Sequence, residues 1–569
     1  MKLIFQIATV GMLITLSQPA SAYFVDGNGH YGLRGETRSQ PGFSQKTGTY
    51  QAIEQSFRLL GEARLNDRSS FFMELGLFAD PREAYLGDTA QPEECKERAD
   101  GESAENCAGR HQNTGAPGYA PMTPKISEAY VRYAMDYCII EAGRRGRDWG
   151  MGIFMDSGED PFETSQSVYD GFDCNINITK SQTLGFSVGF DKLAETGTYI
   201  TSRAENPDTD QYPEYDSRDR SFGSNDAGDD INQFYFTIEY DDRKANAGST
   251  FTKHVGVYFS QITSKSIKDG GGNTDLKFMD LYTAFYVGDL MFQNELLFRM
   301  GKSADPSWRG LGGAGQMGGE QATNKLQSIG LAGAFEWTLS KSGAMLGPAE
   351  YGRGNASRHL LKMEYAYAPG DTDGYYGYEE SGVTPTSGDF TVDREDLGES
   401  VTPTSERFRD RNATAMAFHR NYKPALIFFN GRPEQDTLKR DGIFNPSRVV
   451  NASLISAGYA YESLEGGNFE VKLITGSLNE SLPEDLKEYY DSKIAKEGEE
   501  SKDSGRRPPG YFGKDLGYEL DLIYSYKIGR EASFGVAAAY ALPGDAWQTV
   551  VDSGPVGNML LQTTMSFMF

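Results

Sequence analysis

From Asn232 to Asp241 the chain alternates strictly: Phe234, Phe236, Ile238 and Tyr240 fall on one side, Gln233, Thr237, Glu239 and Asp241 on the other. The same period runs from Gly517 to Gly529, where Tyr518, Leu520, Leu522, Tyr524, Tyr526 and Ile528 oppose Glu519, Asp521, Ser525 and Lys527. In 468–478, Phe469, Val471, Leu473 and Thr475 oppose Glu470 and Lys472; in 53–65, Ile53, Phe57, Leu59, Ala63 and Leu65 oppose Glu54, Arg58, Glu62 and Arg64. A period of two with one apolar side is the pattern of a β-strand, since successive side chains point to opposite faces. It predicts strands near 29–40, 51–65, 69–78, 126–137, 139–145, 170–180, 183–191, 232–241, 249–264, 274–287, 290–301, 325–340, 357–367, 448–463, 468–478, 517–529, 532–542 and 558–569.

Connections sort by length. Asn66–Arg68, Lys180–Gln182, Gly288–Asp289 and Leu464–Gly467 are short, whereas Ala79–Pro124, Lys192–Ile231 and Asn479–Lys514 are long. Their rough alternation predicts an all-β fold: a transmembrane antiparallel barrel with short periplasmic turns and long extracellular loops. The count is 18 strands, or 20 if 413–430 forms a hairpin; its apolar run Ala425–Phe429 does not alternate, so it is read as an excursion within one loop. The connection Lys341–Ala356 is long for the turn side.

Composition sharpens this. No window holds the ~20 apolar residues a spanning helix needs, yet 33 Tyr and 33 Phe accompany a mean hydropathy of −0.54. Aromatic girdles around a polar lumen reconcile the two. Residues 1–22 read as a cleaved secretory signal, with Lys2, an apolar Leu3–Leu16 and Ala20-Ser21-Ala22; residues 23–569 form the barrel. Because alternation begins near Gly29, no room is expected for a plug domain ahead of it.

A net charge of −26 argues against nucleic acid as a partner. Acidic residues concentrate in 205–230, 371–410 and 484–515, where they stay solvated or gather cations and divalent-bridged lipopolysaccharide. Of four cysteines, Cys95 and Cys107 share one polar stretch and are the expected disulfide; Cys174, on the apolar side with Phe172 and Ile176, is expected to pack rather than bond.

The final strand, Asn558–Phe569, alternates to a terminal phenylalanine, with Phe567 and Phe569 on one face. It resembles the assembly signal of bacterial outer-membrane barrels, which implies the barrel-assembly machinery as a partner and both termini in the periplasm. Within 141–173, Arg144, Arg145 and Arg147 precede Asp156, Glu159 and Asp160. Opposed charges of this kind set a transverse field at a constriction or pair structurally, and they are the expected pore constriction. Trp149, before Gly150, is expected as an interface anchor. This stretch, with Met363–Asp371 and Asn421–Asn430, resembles alginate-export-like porins, which implies about eighteen strands and a charged pore. The inward set mixes signs, Arg58, Arg132, Arg299 and Lys472 against Glu62, Glu128, Glu295 and Glu470, which does not suit a polyanion such as alginate. Arg58, Arg132, Glu128 and Glu295 are the expected lumen wall. A fainter resemblance, in size and acidic loops, is to the lipid-trapping, ring-forming porin-like proteins of predatory bacteria.

Catalysis and cofactors find no pattern. The histidines, His30, His111, His254, His359 and His419, show no nucleophile at readable spacing and no ligand pair for a metal. Gly310–Gly319 lacks the Lys-Ser/Thr of a phosphate-binding loop. The expectation is a non-enzymatic, porin-like channel for small hydrophilic solutes or ions in the outer membrane, a homo-oligomer contacting lipid and lipopolysaccharide. The alternative is a closed barrel in a lipid-organising ring.

Overall fold

The computed structural model describes residues 24–39, 49–77, 125–158, 162, 167–179, 183–195, 230–243, 245–246, 249–264, 274–303, 324–344, 355–370, 412–413, 416–419, 421–430, 448–480, 513–529, 531–549 and 556–569. Its strands are β1 (Phe24–Ser39), β2 (Thr49–Asn66), β3 (Ser69–Leu77), β4 (Lys125–Ala134), β5 (Ile139–Gly146), β6 (Val168–Asn177), β7 (Leu184–Glu195), β8 (Asp230–Asp241), β9 (Phe251–Ser264) and β10 (Thr274–Val287). There follow β11 (Leu290–Ser303), β12 (Asn324–Ala344), β13 (Asn355–Ala368), the two-residue β14 (Asn412–Ala413), β15 (Ala452–Glu462), β16 (Gly467–Leu478), β17 (Asp515–Ile528), β18 (Ala532–Pro543) and β19 (Asn558–Met568).

Each strand pairs antiparallel with its chain neighbour, and β1 pairs with β19, so the sheet closes on itself. The exception is β14, which runs parallel to β12 while β13 pairs directly with β15. Nineteen strands less β14 leave eighteen in the wall. The segment 413–430 therefore adds no hairpin. Closure leaves no edge with unpaired amides, which is the condition for a sheet to cross lipid. An even count returns Phe24 and Phe569 to one rim, the rim of the short turns 67–68, 288–289 and 463–466.

The period of two sets which face each residue takes. Outward positions such as Ile238, Met279, Phe292, Ile329, Leu361, Leu473, Leu522 and Leu561 are exposed large apolar groups, while inward Gln233, Asp280, Glu295, Arg299, Glu519 and Asp521 are buried. A wall apolar outside and polar inside suits a bilayer around a lumen. At the seam, the amides of Gly29 and Phe569 exchange hydrogen bonds of 2.7 and 3.0 Å. A Cβ on Gly29 would stand 2.2 Å from the Phe569 ring, so only glycine leaves that ring its seat beside Phe57, 5.9 Å away. Phe567 lies 6.5 Å from Tyr31 on the same outer face.

The disulfide expectation is corrected in part. Cys138 and Cys174 are joined, their Cα atoms 5.7 Å apart. Cys174 does lie on the outward face, but pairing of β5 with β6 sets it opposite Ile140, beside Cys138 in the turn. Cys95 and Cys107 lie outside the described residues, as do residues 1–23 and most of the connection Lys341–Ala356.

Candidate functional site

Two loops from the long-loop rim fold into the barrel and narrow it. The first follows β5. Asp148 fixes its stem by accepting from the amide and hydroxyl of Ser157, at 2.5 and 2.7 Å. Gly150 and Gly152 then turn the chain inward with φ of 62° and 81°, values open to glycine at little cost. A Cβ on Gly150 would meet Glu295 at 2.5 Å, and the Met151 amide donates to that same buried carboxylate. Trp149 is thus not an interface anchor. It is 7% exposed inside the lumen, 5.4 Å from Tyr258, because the stacked rings of Tyr235 and Tyr258 offer it an apolar platform there. Phe154 continues the stack between Tyr258 and Phe278, at 5.8 and 4.8 Å.

The second loop holds the apolar run that does not alternate. Ala425, Ile427, Phe428 and Phe429 are buried, with Phe428 stacked 5.5 Å from Trp547. Non-strand backbone inside a barrel needs its amides satisfied. Ile427 and Phe428 donate to the carboxylate of Glu519 at 2.6 and 2.7 Å, and Leu426 to Asp521 at 3.3 Å. Glu295 and Glu519 therefore do one job on two stretches of wall: each is a buried carboxylate that holds the backbone of an incoming loop. Burial also pushes the Tyr422 phenol above its ordinary pKa, with Glu364 and Glu295 adding to the rise.

The loops touch each other. The His419 amide donates to the Ile153 carbonyl at 2.7 Å, and Asn421 donates to Asp156 at 3.2 Å. His419 Nε2 lies 3.3 Å from Ser167 Oγ, an arrangement that invites a nucleophile reading. The donor pattern argues otherwise. The Asn421 amide donates to Nδ1 at 3.3 Å, so the neutral ring keeps its proton on Nε2 and gives it to Ser167. A general base would need a bare Nε2. The pair ties the two loops together.

The expected constriction residues separate. Arg145 projects inward and pairs with Glu141 and Asp173. Arg147 reaches Asp173 at 3.3 Å and Asp191 at 2.6 Å, with its guanidinium 4.2 Å over the Tyr235 ring. Two arginines thus share three carboxylates in one largely dehydrated cluster. Arg144 does not belong to it: consecutive strand residues face opposite ways, and Arg144 pairs with Asp170 on the outer face at 2.8 Å. Asp156 faces the second loop and accepts from Asn421 and, at 2.7 Å, from the Gly158 amide. Glu159 and Asp160 lie outside the described residues.

All four expected lumen-wall residues point inward, with different work. Arg132 bonds Glu141 at 2.7 Å and lies 4.6 Å over Phe72. Glu128 accepts from the Gly146 amide at 2.6 Å. Arg58 donates to the Gly158 carbonyl at 2.6 Å, so it clamps the first loop, and Glu295 is the loop anchor described above. Arg38 likewise holds the second loop, through the Asn430 carbonyl at 3.2 Å. Further round, Lys362 pairs with Glu470 at 2.7 Å and Lys472 with Glu364 at 2.5 Å. Sequence reasoning missed Asp173, Asp191, Tyr235 and Glu519 as site residues. Strand parity marks all four as inward, but only the fold of the loops shows what they meet.

Neither a protein-family profile nor a curated protein sequence matches this chain. Among solved structures it is similar to the outer membrane protein OprD from Pseudomonas aeruginosa, with 11% identity, TM-score 0.42, and 97% of this chain and 95% of that chain covered. It is similar also to OpdQ from the same organism, with 9% identity, TM-score 0.43, and 96% and 98% covered. A BenF-like porin from Pseudomonas fluorescens Pf-5 gives 9% identity, TM-score 0.43, and 96% and 99% covered. None of these three is named as an alginate exporter. At such TM-scores the barrel's identity as a barrel rests on its own closure, apolar belt and polar interior.

Proposed function

We propose that the protein is a porin-like channel of the bacterial outer membrane, passing small hydrophilic solutes or ions by diffusion between the loops and the β1–β5 wall. The turn rim and both termini lie in the periplasm in this reading, and the long loops outside. One observation carries it: the inward face of that wall stays wet from the turn side. The Arg132 side chain keeps 44% of its exposure and Arg64 59%, both two residues from the short turns, and Leu60, further in on the same inward face, keeps 45%. A barrel filled down to its turn side would dehydrate Leu60. Arg145 and Arg147, against Glu141, Asp173 and Asp191, form the charged side of the narrowing. Because both signs line the path, a solute with polar or zwitterionic character suits it better than a polyanion.

Planar-bilayer recording of the purified protein tests this. Ohmic steps are expected, and replacing Arg145 and Arg147 with Gln should shift the reversal potential toward cations in a salt gradient. Silent bilayers at every voltage would sink the channel.

A second reading draws on the apolar contacts of the two loops, which fill much of the lumen between β9 and β18. It makes the barrel a closed unit of an oligomeric ring that organises lipid. Silent bilayers together with large rings and retained lipid in micrographs would favour it.

A further inference from the structure

At the long-loop rim of the outer wall, charges lie on β5 and β6, where Arg144 pairs with Asp170, and on β10–β12. On β10, β11 and β12 the outward positions Lys277, Lys302 and Lys325 are all exposed. Lys302 stands directly opposite Lys325 in the register, and Lys277 stands opposite Met300, two residues nearer mid-wall. Like charges directly opposite on a sheet repel at a Cβ separation of about 5 Å. Asp275 stands directly opposite Lys302 on the β10 side, but its carboxylate is held by the side-chain amide of Gln261 at 2.8 Å, and among the described residues none of the three lysines forms an ion pair, so the patch keeps a net positive charge. Across the barrel, outward positions near the rim on β13, β15, β18 and β19 are apolar or aromatic, Tyr367, Ile455, Leu542 and Met559, while β17 carries the exposed acid Asp515.

Level with Lys277 and just below it the belt begins, with Met300, then Met279 and Ile329, exposed on the same face. Two residues of strand span ~7 Å, so Lys302 and Lys325 stand at headgroup height above the apolar edge. The chain as a whole is strongly acidic, with a net charge of −26, so an unpaired basic triad is not general surface character. We infer that Lys277, Lys302 and Lys325 form a docking site for the phosphate groups of a phosphorylated glycolipid, the lipid A portion of lipopolysaccharide. Its acyl chains lie along Met279, Met300 and Ile329, and its phosphates relieve the repulsion between the facing lysines. Long lysine stems reach up from an apolar wall to a polar headgroup layer without strain.

The inference rests on the outer-membrane reading above. Its test uses the full protein in detergent, titrated with bisphosphorylated lipid A and with lipid A stripped of both phosphates, and read by native mass spectrometry. The wild type should prefer the phosphorylated form. The triple variant Lys277→Gln/Lys302→Gln/Lys325→Gln should lose that preference, by about fivefold per lysine and roughly 100-fold together. All three side chains are exposed, so folding should be unchanged, as heat-dependent gel mobility would verify. Equal binding of both lipids by the wild type, full retention by the triple variant, or equal competition by phosphatidylglycerol would each overturn the site. A silent protein that still prefers phosphorylated lipid A would sink the channel and leave the site standing. A conducting protein without that preference would do the reverse.

Discussion

On β4–β6 the inward carboxylates Glu141 and Asp173 meet arginine side chains, whereas on β11 and β17 Glu295 and Glu519 are fully buried and hold backbone amides. The residue types and the strand pattern are the same; the partner differs. Side-chain pairs leave one wall a charged surface that water reaches, since Arg132 is bonded to Glu141 and still partly exposed. Backbone partners turn the other wall into a socket. A loop of apolar residues can occupy a barrel only if its amides are met there, because an unmet buried donor costs about 1–3 kcal/mol. Glu295 and Glu519 are what allow Trp149, Phe154, Ile427 and Phe428 to form a core inside a lumen.

If that division is right, damage to the socket should free a loop without opening the barrel. Phe428→Ala should have the largest effect, removing a fully buried ring stacked on Trp547. Loss of a buried phenylalanine is worth about 3–5 kcal/mol. Here it falls on loop docking, since the strand ladder is untouched. Hydrogen exchange at 425–429 should quicken by two orders of magnitude or more, with the heat-dependent gel shift of the barrel unchanged. A parallel fall in barrel stability would mean that loop and wall unfold as one unit.

Glu519→Ala should come next. It strips the Ile427 and Phe428 amides of their acceptor, at about 1–3 kcal/mol for a buried donor left unmet, partly offset because Asp521 loses a close like charge. Faster exchange confined to 426–428, together with noisier single-channel currents, is the expected outcome. Quiet currents and unchanged exchange would show that apolar packing alone seats the loop.

How far these roles were legible depends on the kind of order each uses. Strands such as Thr274–Val287 match their expected bounds because a period of two with one lipid-facing side is local information. The eighteen-strand count followed from reading 413–430 as an excursion, since a non-alternating apolar run makes a poor wall strand. That the run packs inside the barrel was not legible: only the register of β17 brings Glu519 to its amides. The Cys138–Cys174 bond was hidden for the same reason, as the loop between β5 and β6 sets which residues face each other. The grouping of Arg144 with Arg145 and Arg147 is different, because strand parity already separates the first two.

That separation gives the finest contrast on the charged wall. Arg145 faces Glu141, Asp173 and the Tyr235 hydroxyl, so Arg145→Gln removes one positive charge from the cluster and leaves Glu141 to Arg132 and Asp173 to Arg147. One unit of charge at contact distance in water is worth ~1 kcal/mol, so the preference for cations should rise by up to about fivefold. Arg144→Gln breaks an exposed pair with Asp170 on the outer face, worth about 0–1 kcal/mol and screened by salt. It should leave reversal potential and unit conductance where they were. The two residues are adjacent in the chain and identical in chemistry, and only the β5 pleat separates them. Equal shifts from both variants would mean that ions sense the barrel's total charge; a shift from Arg145 alone would place the selective step at the cluster it shares with Arg147.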